Sequence, residues 1–134
     1  MKIHHIGIIV DNIEKSVDIY SKLNYMLSSD ITIDKIQNNR IAFMVNSLTS
    51  QTLELIEPLG RKSSIFNFPK GYHHICYEAE EYENIQYIKS LKIGRIVGNP
   101  VLAPALNNRS VIFICLKNLT FIEFILWRTD ETKD

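Results

Sequence analysis

At 134 residues with 46% hydrophobic content, the chain has the size and composition of one compact domain with its own core. Its 15 basic and 15 acidic residues cancel and form no block of one sign, which argues against nucleic acid or an anionic membrane surface as a partner. The two cysteines form no CxxC pair, and neither a secretory leader nor a membrane-spanning apolar run is evident, so we expect a cytoplasmic protein with reduced thiols.

In chain order, the first 60 residues predict the element order β-α-β-β-β. Alternating apolar residues at 4–10 indicate a strand, and Asp11 or Asn12 then caps a helix that ends near Asn24. The apolar stripe of this helix consists of Ile13, Val17, Ile19, Tyr20 and Leu23. Three further strands are predicted at 25–35, 40–45 and 52–57.

A connector at 61–71, with a short helical turn at 64–68, leads to a second β-α-β-β-β module at 72–128. This module is predicted to contain a strand at 72–79, a helix at 81–91, a strand at 93–97, a loop through Pro104, and strands at 110–116 and 120–127. A polar tail at 129–134 follows. The two modules, the first at 1–60, predict an α+β fold in which one curved, mostly antiparallel sheet surrounds a cavity.

The two modules repeat the same chemically reactive residues 69 positions apart, as expected of a duplicated fold. His5 corresponds to His74, and Glu54 corresponds to Glu123. If the bulky apolar residues of each strand face the helices, alternation places these four side chains on the opposite face, towards the cavity. Two imidazoles and two carboxylates can hold a divalent ion and leave positions open for substrate, so we predict a site for Ni, Co, Zn, Mn, Mg or Fe.

The same spacing links Arg40 to Arg109, each preceded by two asparagines. Alternation predicts that both arginines share the cavity face with Ala42 and Val111, where a guanidinium could hold a carboxylate or phosphate of the substrate. The alternative is that each Asn-Asn-Arg segment is a solvated turn. Cys76 is predicted to line the same cavity, as a substrate contact or as a weak candidate nucleophile.

These residues resemble the vicinal oxygen chelate superfamily, which includes glyoxalase I, methylmalonyl-CoA epimerase, extradiol dioxygenases and the bleomycin resistance proteins. Within it the chain looks most like methylmalonyl-CoA epimerase, through HIGI at 5–8, LELIEPLGRKSSI at 53–65 and YHHIC at 72–76. The resemblance covers nearly the whole chain. It implies a glyoxalase-like fold and a metal bound by His5, Glu54, His74 and Glu123.

The resemblance also implies an enzyme that transfers a proton at the carbon next to a carbonyl group. Glu123 or Glu54 would be the base, and the substrate would be an acyl-CoA, as in methylmalonyl-CoA epimerisation. Isomerisation of a thiol adduct, as in glyoxalase I, is an alternative. A third is a non-catalytic protein of the same fold that sequesters a ligand such as an antibiotic.

Two expectations concern the surroundings of the site. Some epimerases of the family place a second acidic residue on the strand at 40–45, where this sequence has Ala42. The family also implies a homodimer, with the metal held either within one chain or across two chains.

Overall fold

A computed structural model of the chain describes residues 1–128, and the predicted polar tail at 129–134 lies outside the described residues. The chain divides into two compact units. The first unit is His5–His73, and the second unit combines Met1–His4 with the described residues from His74 onward. Within residues 1–128, no helix has the length and apolar character needed to cross a membrane.

Nine strands and two α-helices are found in the described residues. The strands are β1 (Lys2–Ile9), β2 (Tyr25–Leu27), β3 (Thr32–Asp34), β4 (Asn39–Asn46), β5 (Thr52–Pro58), β6 (Gly71–Glu78), β7 (Gly94–Ala103), β8 (Arg109–Leu116) and β9 (Phe121–Ile125). The helices are α1 (Ile13–Ser21), α2 (Ile85–Ser90) and a 3-10 turn at Pro104–Leu106. The predicted glyoxalase-like α+β fold is confirmed, whereas the exact module boundaries stay a prediction.

In the first unit, the strand order is β2-β4-β5-β1, with β3 also paired to β4. The β4–β5 pair is antiparallel and the β1–β5 pair is parallel, because α1 provides the crossover between β1 and the later strands. One face of these strands packs with α1 in an apolar cluster. This cluster contains Ile8, Val10, Ile13, Ala42, Met44, Leu53 and Leu55.

Helix α1 begins at the position that the sequence indicates. Of the two predicted caps, Asn12 is the one used, since its side chain accepts a hydrogen bond from the backbone N–H of Lys15 at 2.9 Å. Ile13 is fully buried, but the predicted stripe is wrong for Ile19 and Leu23, which are exposed. Ile19 follows Ile13 by six residues and therefore faces away from it, and Leu23 lies beyond the end of the helix.

The second unit has the strand order β6-β9-β8-β7, with β6 parallel to β9 and the other pairs antiparallel. Its helix α2 is shorter than the predicted span of 81–91. The Glu83 carboxylate accepts the Glu80 N–H in a preceding turn, and Asn84 caps the helix through the N–H of Tyr87. The core of this unit contains Ile85, Ile88, Ile112, Ile114, Ile122, Phe124 and Leu126.

Strand β7 extends to Ala103, so the loop predicted after Val97 is wrong. The pairing with β8 shifts register between Val97 and Val101 and then continues, as at a β-bulge. Gly98 lies within this irregular stretch with φ of +72°, a conformation that other residues adopt only at a cost. Gly98, together with Pro100 two residues later, resembles a loop signal in the sequence.

The connector forms hydrogen-bonded turns and no complete helix, and it is fixed to β4. Within the predicted helical turn, the Phe68 N–H donates to the Ile65 carbonyl at 3.0 Å. The Ser63 hydroxyl donates to the buried Asn39 side chain and accepts the Ile65 N–H at 3.1 Å. Asn39 begins β4, so these bonds cover that end of the first unit.

The Asn12 cap gives a stability test of the fold. Asn12→Ala removes one acceptor from the first turn of α1 and is expected to lower the free energy of unfolding by about 1 kcal/mol. Asn84→Ala is the matched variant for α2 and is expected to have an effect of similar size. Urea unfolding measures both, and an unchanged midpoint for Asn12→Ala would show that water replaces the cap without loss.

Candidate functional site

The first unit buries a histidine and a glutamate side by side. His5 Nε2 lies 3.2 Å from Glu54 Oε1, and both side chains are almost completely inaccessible. Phe43 is the direct cross-strand partner of Glu54, and its ring meets the His5 ring edge-on at 5.2 Å. Strands β1, β5 and β4 therefore each contribute one member of this half-site.

The second unit contains the same arrangement. His74 Nε2 lies 3.4 Å from Glu123 Oε1, and both residues are buried. Phe113 is the cross-strand partner of Glu123, with its ring 5.4 Å from the His74 ring. Strands β6, β9 and β8 thus repeat the His, Glu and Phe of the first half-site.

The spacing within each half-site fits metal coordination. Two ligand atoms about 2.1 Å from one ion lie about 3.0–3.4 Å apart in octahedral or tetrahedral geometry. The His–Glu distances of 3.2 and 3.4 Å match this spacing. Each of the four buried side chains offers one ligand atom, so this group of His and Glu residues could hold a metal ion.

The repeat changes its spacing at the phenylalanines. Phe43 and Phe113 are 70 positions apart, whereas Glu54 and Glu123 are 69 apart. The strands that contain the phenylalanines also begin 70 positions apart, at Asn39 and Arg109. A shift of one residue moves a side chain to the other face of a strand, so Arg40 and Arg109 do not occupy equivalent positions.

Arg40 lies on the helix side of the first unit, and the prediction that it shares the face of Glu54 is wrong. Its guanidinium donates to Glu57 at 3.2 Å and to Glu14 of α1. Glu57 in turn accepts the backbone N–H of Ile13 at 2.9 Å. The hydrogen bond from Arg40 lowers the pKa of Glu14, so the Glu14 carboxylate stays charged at neutral pH. Through Glu57, the network attaches the start of α1 to β5.

Ala42 also faces α1, where it is fully buried in the apolar cluster. It therefore does not correspond to a position beside Glu54. The residues of β4 on the Glu54 side are Asn39, Ile41, Phe43 and Val45, and none of them is acidic. On that face, strands β1, β4 and β5 carry no ionisable side chain apart from His5 and Glu54.

Arg109 lies on the same face of β8 as Phe113 and Val111, as predicted. It donates to the Glu78 carboxylate and to the backbone carbonyl of Leu126 at 3.0 Å. The hydrogen bond from Arg109 lowers the pKa of Glu78, so that carboxylate is negatively charged at neutral pH. Arg109 therefore already holds an anion of the protein.

Cys76 is fully buried beside Glu123 in the parallel register of β6 and β9. It belongs to an apolar cluster with Ala103, Val111 and Ile125. From the sequence, Phe43 and Phe113 are predicted only as core or cavity wall, without a place beside the glutamates. A search for residues directly opposite the two glutamates in their hairpins would have found both.

Comparisons with known proteins agree with this geometry. Residues 4–88 match a family model described as the Glyoxalase/Bleomycin resistance protein/Dioxygenase superfamily. The mitochondrial methylmalonyl-CoA epimerase of Dictyostelium discoideum is 26% identical over 125 residues, which cover 88% of this chain and 72% of that protein.

Solved structures show the same fold. A hypothetical protein from Bacillus halodurans C-125 has a TM-score of 0.78 and 25% identity, covering 95% of this chain and 94% of its own. A variant of Streptomyces coelicolor methylmalonyl-CoA epimerase, solved in complex with 2-nitronate-propionyl-CoA, has a TM-score of 0.75 and 17% identity. That match covers 94% of this chain and 96% of the other.

The position of Arg40 predicts a purely structural phenotype for its variant. Arg40→Gln is expected to lower the free energy of unfolding by about 1 kcal/mol, because Glu57 loses its charged partner. Metal affinity, measured by calorimetric titration, is expected to stay unchanged. Arg128→Gln is the matched control, since Arg128 pairs with Glu81 at the surface and should contribute little. A loss of metal affinity in Arg40→Gln would contradict this role.

The Glu78–Arg109 pair predicts a pH dependence of stability. Because the folded-state pKa of Glu78 is lowered, its contribution is present above the unfolded-state pKa of about 4.3 and is lost as pH falls through the folded value. The difference in unfolding free energy between wild type and Glu78→Gln is therefore expected to be constant near neutral pH and to narrow as the pH falls below the unfolded-state pKa of about 4.3. Urea unfolding at several pH values measures this difference, and a difference that stays constant at the low pH values would contradict the prediction.

Proposed function

Because the chain belongs to the Glyoxalase/Bleomycin resistance protein/Dioxygenase superfamily, we propose that it is a metal-dependent enzyme that transfers a proton at the carbon next to a carbonyl group. The observation that supports this proposal is the pair of half-sites, each with a buried imidazole and a buried carboxylate within 3.4 Å. A buried carboxylate is costly unless it is paired or bound to a cation, so its presence in both units favours a functional role.

We propose that His5, Glu54, His74 and Glu123 together hold one divalent ion. Mixed nitrogen and oxygen ligands suit Ni, Co, Zn, Mn or Mg, and the donor set does not select among them. Bound there, the ion supplies Lewis-acid polarisation of the substrate carbonyl. The removal and return of the proton are carried out by side chains of the protein.

Glu123 is the proposed general base, and Glu54 is the second carboxylate that can exchange a proton with the substrate. The base takes the α-proton while the electron pair of the C–H bond moves onto the carbonyl oxygen. The acid then returns the proton to carbon. The apolar side chains of Ile41 and Phe43 exclude water beside Glu54, which strengthens electrostatic interactions there.

We propose an acyl-CoA or a related thioester as the substrate, with methylmalonyl-CoA epimerisation as the leading reaction. The similarity to the Dictyostelium epimerase supports this choice, as does the acyl-CoA ligand of the Streptomyces enzyme. A glyoxalase I type isomerisation of a thiol adduct is the second candidate. It is favoured by the face of β4 beside Glu54, which offers Ile41 and Phe43 and no further acid. A homodimer and a cytoplasmic location stay predictions from the sequence.

Proton exchange gives the direct test of this function. With one equivalent of divalent metal in D2O, the protein is expected to exchange the α-proton of methylmalonyl-CoA, as followed by NMR. Glu123→Gln removes the base while keeping an oxygen ligand, and its exchange rate is expected to fall at least about a hundredfold. The hemithioacetal of methylglyoxal tests the second candidate under the same conditions.

Two controls make the result specific. Metal content and thermal unfolding of Glu123→Gln show whether the variant still folds and binds the ion. Glu57→Gln changes a carboxylate that faces α1 and is expected to retain exchange. Full activity in metal-free protein, or no exchange with either substrate, would refute the proposed function.

A further inference from the structure

The two units differ at the strand positions four residues along from the His and Phe of each half-site. These positions hold Ile9 and Asn39 in the first unit, and Glu78 and Arg109 in the second. At the spacing of 69, Ile9 of the first unit corresponds to Glu78 of the second. Asn39 and Arg109 occupy equivalent positions at the starts of β4 and β8. A polar, charged pair in one unit therefore replaces an apolar residue and an amide in the other.

The side chains at these positions are buried in the first unit and partly exposed to solvent in the second. Ile9 and Asn39 are 1% and 2% exposed, and Ser63 of the connector covers Asn39. The side chains of Arg109 and Glu78 are 27% and 26% exposed. The end of the second unit therefore presents its polar groups to solvent or to a ligand.

The Arg109–Glu78 pair offers both kinds of hydrogen-bonding group. Arg109 uses one nitrogen on Glu78 and another on the Leu126 carbonyl, while a guanidinium carries five N–H groups. The Oε2 atom of Glu78 accepts the hydrogen bond from Arg109. Its Oε1 atom lies 3.9 Å from the Lys2 ammonium, which is beyond hydrogen-bond distance. The pair can thus donate and accept hydrogen bonds at adjacent atoms, with the Lys2 ammonium as a further positive charge nearby.

The pair lies at a defined distance from the half-site of the same unit. Glu78 follows His74 by four residues on β6, and Arg109 precedes Phe113 by four on β8, so the separation is about 13 Å along the strands. The row between them consists of Cys76, Val111 and Ile125, all fully buried. Val101 and Leu106 pack over this row and provide an apolar surface between the two polar positions.

We propose that the Arg109–Glu78 pair binds a neutral amide in the arm of the substrate. This proposal rests on the proposed function, which places the reacting carbonyl at the half-site. An amide gives its N–H to Glu78 and its C=O to Arg109, whereas an ionised carboxylate or phosphate has no donor to offer the Glu78 carboxylate. The earlier expectation of an anion clamp at Arg109 is thereby replaced.

The separation between the half-site and the Arg109–Glu78 pair limits which amide of the substrate can contact the pair. A pantetheine thioester carries two amides, and the carbonyl carbons of the first and second lie about five and about nine bonds from the reacting carbonyl carbon. The longer stretch equals about three extended residues, or about 10 Å, so only the second amide approaches the separation of about 13 Å. An N-acetylcysteamine thioester contains only the first amide. The second amide is therefore the group that reaches Arg109 and Glu78, and the apolar stretch of Val101 and Leu106 faces the methylene groups before it.

Binding of two stable analogues tests this subsite without turnover. The 2-oxopropyl thioethers of pantetheine and of N-acetylcysteamine both keep a carbonyl group. The pantetheine analogue adds the second amide, the methylene groups before it and the hydroxyl-bearing pantoyl group after it, so the variants below assign the difference to the amide. Isothermal titration of the metal-loaded protein is expected to show about tenfold tighter binding of the pantetheine analogue, as two net hydrogen bonds supply.

Variants assign the difference to the pair. Arg109→Gln is expected to abolish the preference for pantetheine, and Glu78→Gln to reduce it, with affinity for the N-acetylcysteamine analogue unchanged. Arg95→Gln removes an exposed arginine of the same unit and is expected to keep the full preference. Thermal unfolding identifies any variant that has lost its fold, and Glu78→Gln then provides the assignment if Arg109→Gln unfolds.

Two results would overturn the proposal. One is equal binding of both analogues by the wild type, and the other is an undiminished preference in the folded Arg109→Gln and Glu78→Gln variants. Because binding is measured without reaction, these results are separate from a failure of proton exchange with every thioester. That failure would instead refute the proposed function.

Discussion

The burial of a carboxylate beside an imidazole is the constraint on which each unit depends. An unpaired charge inside a protein is strongly unfavourable, and a histidine nitrogen lies 3.2 Å from the Glu54 carboxylate and 3.4 Å from the Glu123 carboxylate. The parallel pairing of β1 with β5, and of β6 with β9, brings each histidine strand next to its glutamate strand. A bound cation would stabilise both carboxylates further, so the same arrangement that is costly without a partner is suited to hold metal.

The strand opposite each glutamate has a different task. Phe43 and Phe113 contribute no ligand, but each ring meets a histidine edge-on and limits the positions available to the imidazole. Fixing the orientation of a histidine is a common way to prepare a metal ligand, because a ligand that must reorder on binding loses affinity. The hydrogen bonds of Arg40 with Glu14 and Glu57 act at a different level, since they attach α1 to the sheet of the first unit.

The two units share the His–Glu–Phe arrangement but differ in the residues at the ends of their site-facing strands. The first ends its site-facing row in buried Ile9 and Asn39, held under the connector by Ser63. The second ends in the accessible pair of Arg109 and Glu78, which is charged yet neutral overall. Two identical copies of a unit would make identical contacts with a ligand, so contacts that differ require the copies to differ in sequence. Under the proposed function, this difference would let only the second unit contact the arm of the substrate, whereas both units carry a His–Glu pair.

The sequence alone determined the fold class, the β-α-β-β-β pattern and the four residues of the half-sites, because strand alternation and a 69-residue repeat are local and additive signals. It misplaced Arg40 and Ala42, since the turn before β8 is one residue longer than its counterpart, and one residue reverses the face of a whole strand. Only the tertiary structure decided that register, the partners of Arg109 and the phenylalanine opposite each glutamate. Cross-strand pairing depends on which hydrogen bonds form between distant segments, and that information is not contained in the periodicity of either segment.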